Sequence, residues 1–250
     1  MDFNKKSNLF SNEIINLILI VNINTGNVDK IFYSFCNISC LTVVGDNDDI
    51  IIAGRDDGII DIFDMKPLNE KYYLNFENLN KNLLFYGEDS DLNPEFQLKL
   101  SSFSSTNLHQ SKIVKIKKKK IDKNSYKIFS LDTEGKIVIW ELIDKDIKDF
   151  YKLEISPLKK TKEIEIDKLI QNSQKYKCID FDLIQNANIS SKDTLYILTN
   201  AGLLKLTIDL SDQHYIHFIH CNDKESSIIT AFSVSDNGYL LCSYNDSSIK

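Results

Sequence analysis

Glycine and proline are scarce, 8 and 3 among 250 residues. A chain with many tight turns must then make them with other residues, and Asn, Asp, Ser and Lys crowd the polar stretches; Asn and Asp tolerate left-handed backbone and can take over these turns. The five cysteines, Cys36, Cys40, Cys178, Cys221 and Cys242, are odd in number and form no C-x-x-C. That argues against a disulfide framework and for reduced, cytosolic thiols buried in strands. No G-x-S-x-G, G-x-G-x-x-G, P-loop or H-E-x-x-H occurs, so no catalytic class, cofactor or catalytic residue is indicated. Charge of one sign is also missing: 36 acidic residues stand against 30 Lys and Arg, net −6. Phosphate binding needs a concentrated positive face, so nucleic acid is not the expected partner. No long apolar run is present. The stretch 14–23, preceded by Lys5 and Lys6 and interrupted by Asn16 and Asn22, is half the ~20 residues that cross a bilayer, and reads as a buried strand with no membrane role.

What is present is a hairpin at residues 126–142, YKIFSLDTEGKIVIWEL. Ile128, Phe129 and Leu131 face Ile137, Val138, Ile139 and Trp140 across the turn Asp132-Thr133-Glu134-Gly135. β-Branched and aromatic residues on both sides of a polar turn predict two paired strands. A strand after D-x-x-G that ends in Trp plus an acid resembles the middle of a WD repeat, one four-stranded blade of a β-propeller. The resemblance implies an all-β, WD-repeat propeller that binds other proteins and is not an enzyme.

The same pattern recurs along the chain. Strand 17–21 runs into an Asn-Thr-Gly turn and a second strand to 32; then come 38–44, 50–54 and 59–64, the last within AGRDDGIIDIFDM. A third unit opens at 113–116, with 117–123 as its turn and 144–154 as its outer strand. A fourth uses 177–183, 194–199, 203–208 and 215–220, and a last begins near 228 and turns at 236–238. About four blades are visible, and the propeller is expected to be incomplete, because the sequence stops where a third strand would begin; a fragment, or a ring closed by another chain, explains that. Residues 1–16 read as an irregular segment and 17–250 as the partial propeller. Gly58 and Gly135 are 77 residues apart (135 − 58), against ~40–45 per WD repeat, which places insertions near 66–112 and 155–176.

The repeat positions Asp56, Gly58, Asp64, Asp132, Gly135, Trp140, Gly202, Asp236 and Gly238 are read as structural: glycine permits positive φ in the turns, the acids can bind turn amides, and Trp140 fills the space between blades. His214, His217, His220 and Cys221 would line up on a helix, but Tyr215, Ile216, Phe218 and Ile219 favour a strand. His217 then faces away, and His214 and His220 lie ~20 Å apart, too far for one metal ion. Lys117–Lys120, with Lys112, Lys115 and Lys123 nearby, forms the one basic cluster. It reads as a solvated blade turn, the other readings being a contact for an acidic protein surface or a nucleic-acid backbone.

The order of the pieces is more specific than a generic propeller. Asn22-Ile23-Asn24-Thr25-Gly26, then 38–44, AGRDDGIIDIFDM, a segment from Phe96 through Ser102-Phe103-Ser104-Ser105-Thr106 into 109–116, and SLDTEGKIVIWEL together resemble the WD-repeat intermediate chain of cytoplasmic dynein 2. The resemblance spans 17–142 and fades to general WD-repeat character beyond. It implies a non-catalytic subunit of retrograde intraflagellar transport, in the cytoplasm and the cilium or flagellum, that binds a dynein heavy chain beside a second WD-repeat intermediate chain. The family's light-chain-binding region has no match here. A WD-repeat adaptor of an unrelated complex is the alternative.

Overall fold

Ile50 and Ile52 turn to one side of their strand, while Ile51 and Ala53 turn to the other, and all four are buried. A strand apolar on both faces needs a sheet on each side of it. The computed structural model of the chain shows this arrangement; it describes residues 16–34, 36–45, 50–65, 109–122, 125–143, 158–170, 175–184, 192–209, 214–221, 228–235, 237–246 and 248–249.

Among the described residues five antiparallel sheets follow one another along the chain. The first is the hairpin β1 (Asn16–Val21) and β2 (Val28–Ser34). The second is β3 (Ile38–Val44), β4 (Ile50–Arg55) and β5 (Ile60–Asp64). The third has four strands, β6 (Ile113–Lys120), β7 (Ser125–Asp132), β8 (Lys136–Ile143) and β9 (Leu158–Glu165), followed by the single turn of helix α1 (Ile166–Ile170). The fourth has β10 (Cys178–Leu183), β11 (Asp193–Thr199), β12 (Gly202–Ile208) and β13 (His214–Cys221). The fifth is β14 (Ile229–Val234) with β15 (Leu240–Tyr244).

Apolar layers join each sheet to the next. Ile18 and Phe32 meet Ile51, Ala53 and Phe63; Ile50, Ile52 and Ile62 meet Ile116, Ile128 and Trp140; Phe129, Leu131 and Ile139 meet Phe181, Leu195 and Leu206; Tyr196, Leu198 and Leu203 meet Ile229, Phe232 and Cys242. Each fully buried Ile, Leu or Phe contributes ~1.5–3 kcal/mol, so the layers between sheets hold the stack together. The first strands β3, β6, β10 and β14 are neighbours of one another, so they form the inner edge of the stack. Sheets stacked face to face with their first strands inward are blades of a propeller, and the two-stranded sheets at the ends leave it open.

Two expectations change. Lys117–Lys120 is not a turn, because β6 runs through it and pairs with β7 as far as Lys120↔Tyr126. The reason is electrostatic: Lys115, Lys117 and Lys119 meet Asp180, Asp182 and Asp193 of the fourth sheet. The strand that pairs with β8 is Leu158–Glu165, with Lys136↔Glu165 and Leu142↔Leu158 as end pairs, so this part of the stretch near 155–176 is blade and not insertion. The segment 144–154, expected as the outer strand, lies outside the described residues, as do 66–108 of the other insertion and residues 1–15 of the N-terminal segment.

Candidate functional site

The turn after β7 closes with Gly135 N–H donating to the Asp132 carbonyl at 3.2 Å, and the turn after β4 closes likewise from Gly58 to Arg55. Both glycines hold positive φ, +84° and +83°. Gly58 has a second constraint: a Cβ there would stand 2.6 Å from the His109 carbonyl oxygen, whereas one on Gly135 would meet Ile166 Cβ at 3.3 Å. The stretch leading into β6 therefore lies directly on the preceding blade's turn.

That stretch brings His109 into the third blade. Its Nδ1 lies 3.1 Å from Asp132 Oδ2 and its Nε2 2.7 Å from Ser130 Oγ. The Trp140 indole N–H donates to the same Ser130 Oγ at 2.9 Å. The other carboxylate oxygen of Asp132 accepts the backbone N–H groups of Glu134 and Lys136 at 3.0 and 2.9 Å. Asp132, Gly135 and Trp140 are thus brought together, and His109 and Ser130 are members that the sequence reading did not single out. The available signal was Ser130 itself, a hydroxyl in the middle of an otherwise apolar run.

A serine, a histidine and an aspartate in one hydrogen-bond chain have the composition of a hydrolase triad. Their surroundings differ from one. The serine of a triad must reach a substrate carbonyl and stand beside oxyanion donors. Here Ser130 has 0% of its surface exposed and Trp140 1%, and the serine hydroxyl is engaged by the indole and the imidazole and faces the Val138 carbonyl. Buried polar groups that satisfy one another fix the rotamers of a core, and this network ties β7, β8 and the approach to β6 into one unit.

In the second blade Arg55, not Asp56, occupies the place of Asp132. Arg55 pairs with Asp57 and with buried Asp61, and Asp61 accepts a hydrogen bond from Ser34 Oγ at 3.1 Å. Burial disfavours the Arg55 charge, but the two carboxylates outweigh it and hold its pKa above the ordinary value. Burial likewise disfavours charge on Asp57, and Arg55 outweighs it, so its carboxyl titrates lower than usual. Asp56 pairs with Lys112 at 3.0 Å, its N–H donating to the Asn37 carbonyl. Asp64 ends β5, Gly202 opens β12 and Gly238 has φ +83° in the turn before β15; Asp236 lies outside the described residues.

The lysines of β6 meet acids of the fourth blade. Lys115 pairs with Asp180 at 2.7 Å, Lys117 with Asp182 at 2.9 Å and Lys119 with Asp193 at 2.7 Å, while Lys127 of β7 reaches Asp193 at 2.6 Å. Asp182 also accepts the Val234 N–H of the fifth sheet. Burial acts to raise the Asp193 pKa, and the two ammonium groups outweigh it and hold it below the ordinary carboxylate value. The alternating lysines are compatible with a strand because the neighbouring blade supplies the opposite charge, so the cluster is largely spent within the fold. Burial, with Asp132 and Asp167 nearby, pushes the Cys178 thiol up to about 12, which keeps it protonated and unreactive.

β13 is a strand, and its register sets His214 opposite Ile208 and His217 opposite Lys205. Among the described residues no three His, Cys, Asp or Glu side chains are grouped as a metal site, and no helix is long and apolar enough to cross a membrane. A groove of about 400 Å³ opens beside the Asp132–Gly135 turn, lined among others by Glu134, Lys136, Glu165, Asp167, Lys175 and Tyr176.

The sequence matches no protein-family profile and no curated protein. Solved structures do match the fold. The C-terminal WD40 domain of Sif2 overlays 93% of this chain on 50% of its own, with TM-score 0.51 and 12% identity. The Cps50 (Swd1) β-propeller domain of Myceliophteria thermophila overlays 84% of this chain on 49% of its own, with TM-score 0.47 and 11% identity. BBS1N, solved in complex with ARL6DN, overlays 93% on 55%, with TM-score 0.48 and 10% identity. By its likeness to the Sif2 domain the chain has the fold of a WD40 β-propeller, incomplete as described, and it spans about half the length of the structures it matches. Likeness at this level of identity speaks for the fold and does not single out a dynein chain.

Proposed function

We propose that the chain is a non-catalytic scaffold that binds other proteins through its blade surfaces. The observation that carries this reading is the burial of the Ser130, His109 and Asp132 network: among the described residues this constellation with the composition of a catalytic site is enclosed between blades, where it can order a core but cannot meet a substrate. In this reading Asp56, Gly58, Asp64, Asp132, Gly135, Trp140, Gly202, Asp236 and Gly238 serve the repeat and not a ligand, and residues 17–250 act as one partial propeller. The mixed-charge groove beside the Asp132–Gly135 turn is the surface offered to a partner.

The specific assignment is a subunit like the intermediate chain of dynein 2, holding a dynein heavy chain in retrograde intraflagellar transport. Its support is the order of the pieces from 17 to 142 and the scaffold character of the fold. The alternative is a WD-repeat adaptor of another assembly. Affinity purification of the tagged gene product from cells that build cilia or flagella, with mass spectrometry of the co-purifying proteins, separates them. A dynein heavy chain recovered with a second WD-repeat intermediate chain supports the motor subunit. A different stable complex without dynein overturns that assignment and leaves the adaptor.

A further inference from the structure

Three hairpin turns share one plan and differ in the residue that precedes their glycine. Gly58, Gly135 and Gly238 hold φ of +83°, +84° and +83°, and their N–H groups donate to the carbonyls of Arg55, Asp132 and Ser235 at 3.2, 3.2 and 2.9 Å. A hairpin loop that ends on a left-handed glycine has this form. The preceding residues are Asp57, Glu134 and Asn237, and Asn237-Gly238 is the one Asn-Gly pair of the chain. In such a pair the glycine nitrogen can close a five-membered ring onto the side-chain carbonyl carbon, with no Cβ on the glycine to obstruct the approach. Glu134 would need a six-membered ring, so Asp57 and Asn237 are the two residues placed for this reaction.

Their surroundings separate these two. Gly58 is buried, with the His109 carbonyl oxygen 2.6 Å from where a Cβ would stand, and the Asp57 carboxylate accepts two hydrogen bonds from the Arg55 guanidinium. Neither the nitrogen nor the carboxyl carbon is free to move toward the other, and an ionised carboxylate has no leaving group to lose. Asn237 is exposed, and among the described residues no hydrogen bond or ion pair holds its carboxamide. Gly238 is only half-buried, and the nearest atom to a Cβ there would be Ile184 Cδ1 at 3.8 Å. The turn is held by the Gly238 bond, by Ser235 N–H donating to the Tyr239 carbonyl at 2.9 Å, and by Tyr239 N–H donating to Ser235 Oγ at 3.0 Å. These three bonds lie within residues 235–239, so the turn opens without disturbing a neighbouring blade.

We propose that Asn237 is a site of spontaneous deamidation in the folded chain, which leaves the turn between β14 and β15 with an aspartate or an isoaspartate. Water takes the proton of the Gly238 amide, the nitrogen forms a bond to Asn237 Cγ, and the Cγ–Nδ2 bond breaks, Nδ2 leaving as ammonia. A second water opens the resulting succinimide at either carbonyl. Cleavage of the new N–Cγ bond gives an aspartate on a normal backbone. Cleavage at the Asn237 main-chain carbonyl gives an isoaspartate, whose backbone runs through the side chain and is one methylene longer. Nothing is oxidised or reduced, and water is the sole co-reactant. Both products add a negative charge to the turn. The aspartate form reproduces the Asp57-Gly58 pair of the second blade and keeps the turn, whereas the added methylene of the isoaspartate form pulls Gly238 and Tyr239 out of register with Ser235.

The test follows the 250-residue chain at neutral pH and constant temperature, once native and once unfolded in urea, with peptide mass mapping for the amide-to-acid exchange and an isoaspartate-specific carboxyl methyltransferase as the probe of the longer backbone. The proposal expects the native chain to convert Asn237 at least ~10-fold faster than any of its other asparagines, and within ~10-fold of the rate in urea, because the open turn imposes little barrier of its own. A native chain that keeps Asn237 intact while the unfolded chain converts it overturns the proposal, since the turn then protects the residue; so does a chain that converts it in neither state. The consequence is read by hydrogen exchange of the Ser235 and Tyr239 amides in the isoaspartate form, separated by its added charge, and in Asn237→Asp, which has the charge on a normal backbone. The isoaspartate form is expected to exchange at least ~10-fold faster than the parent and Asn237→Asp to match the parent. Equal exchange in the isoaspartate form and the parent overturns the effect on the turn.

Discussion

Where β7 ends in Asp132, β11 ends in Thr199; where β7 carries Ser130, β11 carries Ile197; and where β8 carries Trp140, β12 carries Leu206. The correspondence is set by register, Asp132 lying opposite Ile113 and Thr199 opposite Cys178. In the third blade these positions hold a polar network with His109. In the fourth, Thr199 Oγ1 donates to the Gly202 carbonyl and accepts the Ala201 N–H, and Ile197 and Leu206 pack in the apolar layer. The same strand plan is therefore held in one blade by a polar network that crosses between strands and in the next by apolar packing with a hydrogen-bonded turn at Thr199. The polar version adds a constraint that packing lacks: it fixes the segment returning from residues 66–108 at one point, His109, on the turn of the blade before.

The sharpest way to break this contrast is to remove the acid. Asp132→Ala leaves buried His109 and two turn amides without their acceptor and is expected to cost ~3–5 kcal/mol, against ~1 kcal/mol for Thr199→Val, both read from urea unfolding midpoints. The turn glycines sharpen it next. Gly58→Ala adds a Cβ 2.6 Å from the His109 carbonyl oxygen to the strain of a positive φ and is expected to cost more than the ~1–3 kcal/mol of that strain alone, whereas Gly135→Ala, at the same positive φ with its Cβ 3.3 Å from that of Ile166, is expected to cost ~1–3 kcal/mol. Both are read from the same unfolding curves. Ser130→Ala removes the acceptor of the Trp140 indole and should cost ~1–3 kcal/mol, with a change in tryptophan fluorescence as the second readout.

The smallest effect concerns the joint between the two blades. The Asp193 pKa is depressed in the folded chain, so its contribution is present at pH values above the unfolded carboxyl value of ~3.9. It is lost as the pH falls through the folded value. Lys119→Met weakens the depression and should cost under ~1 kcal/mol at neutral pH. The expected signature is a shallower loss of stability on acidification than in the parent, followed by thermal melts across that range.

The strands of the blades can be read from the sequence because alternation and turn residues act locally. β3, β4 and β5, and the hairpins of 126–142 and 194–208, fall within a residue or two of their expected bounds. Two kinds of element could not be read so. β9, LKKTKEIE, gives one residue to each neighbouring apolar layer, Leu158 to one and Ile164 to the other, and these are its only buried residues, so the rest reads as surface. β6 carries lysines whose partners, Asp180, Asp182 and Asp193, are more than sixty residues away, and no local pattern announces them. The same holds for His109, which belongs with Ser130 and Asp132 only once the blade is built.

Trp140 is the chain's one tryptophan, so its indole proton gives an unambiguous signal for the network. Hydrogen exchange of that proton under native conditions tests the account most directly. If Ser130, His109 and Asp132 are a structural core, the indole N–H exchanges only through global unfolding, with a free energy equal to that from denaturant melts. Exchange orders of magnitude faster would show that the network opens in the folded chain, and a buried, purely structural role for it would be wrong.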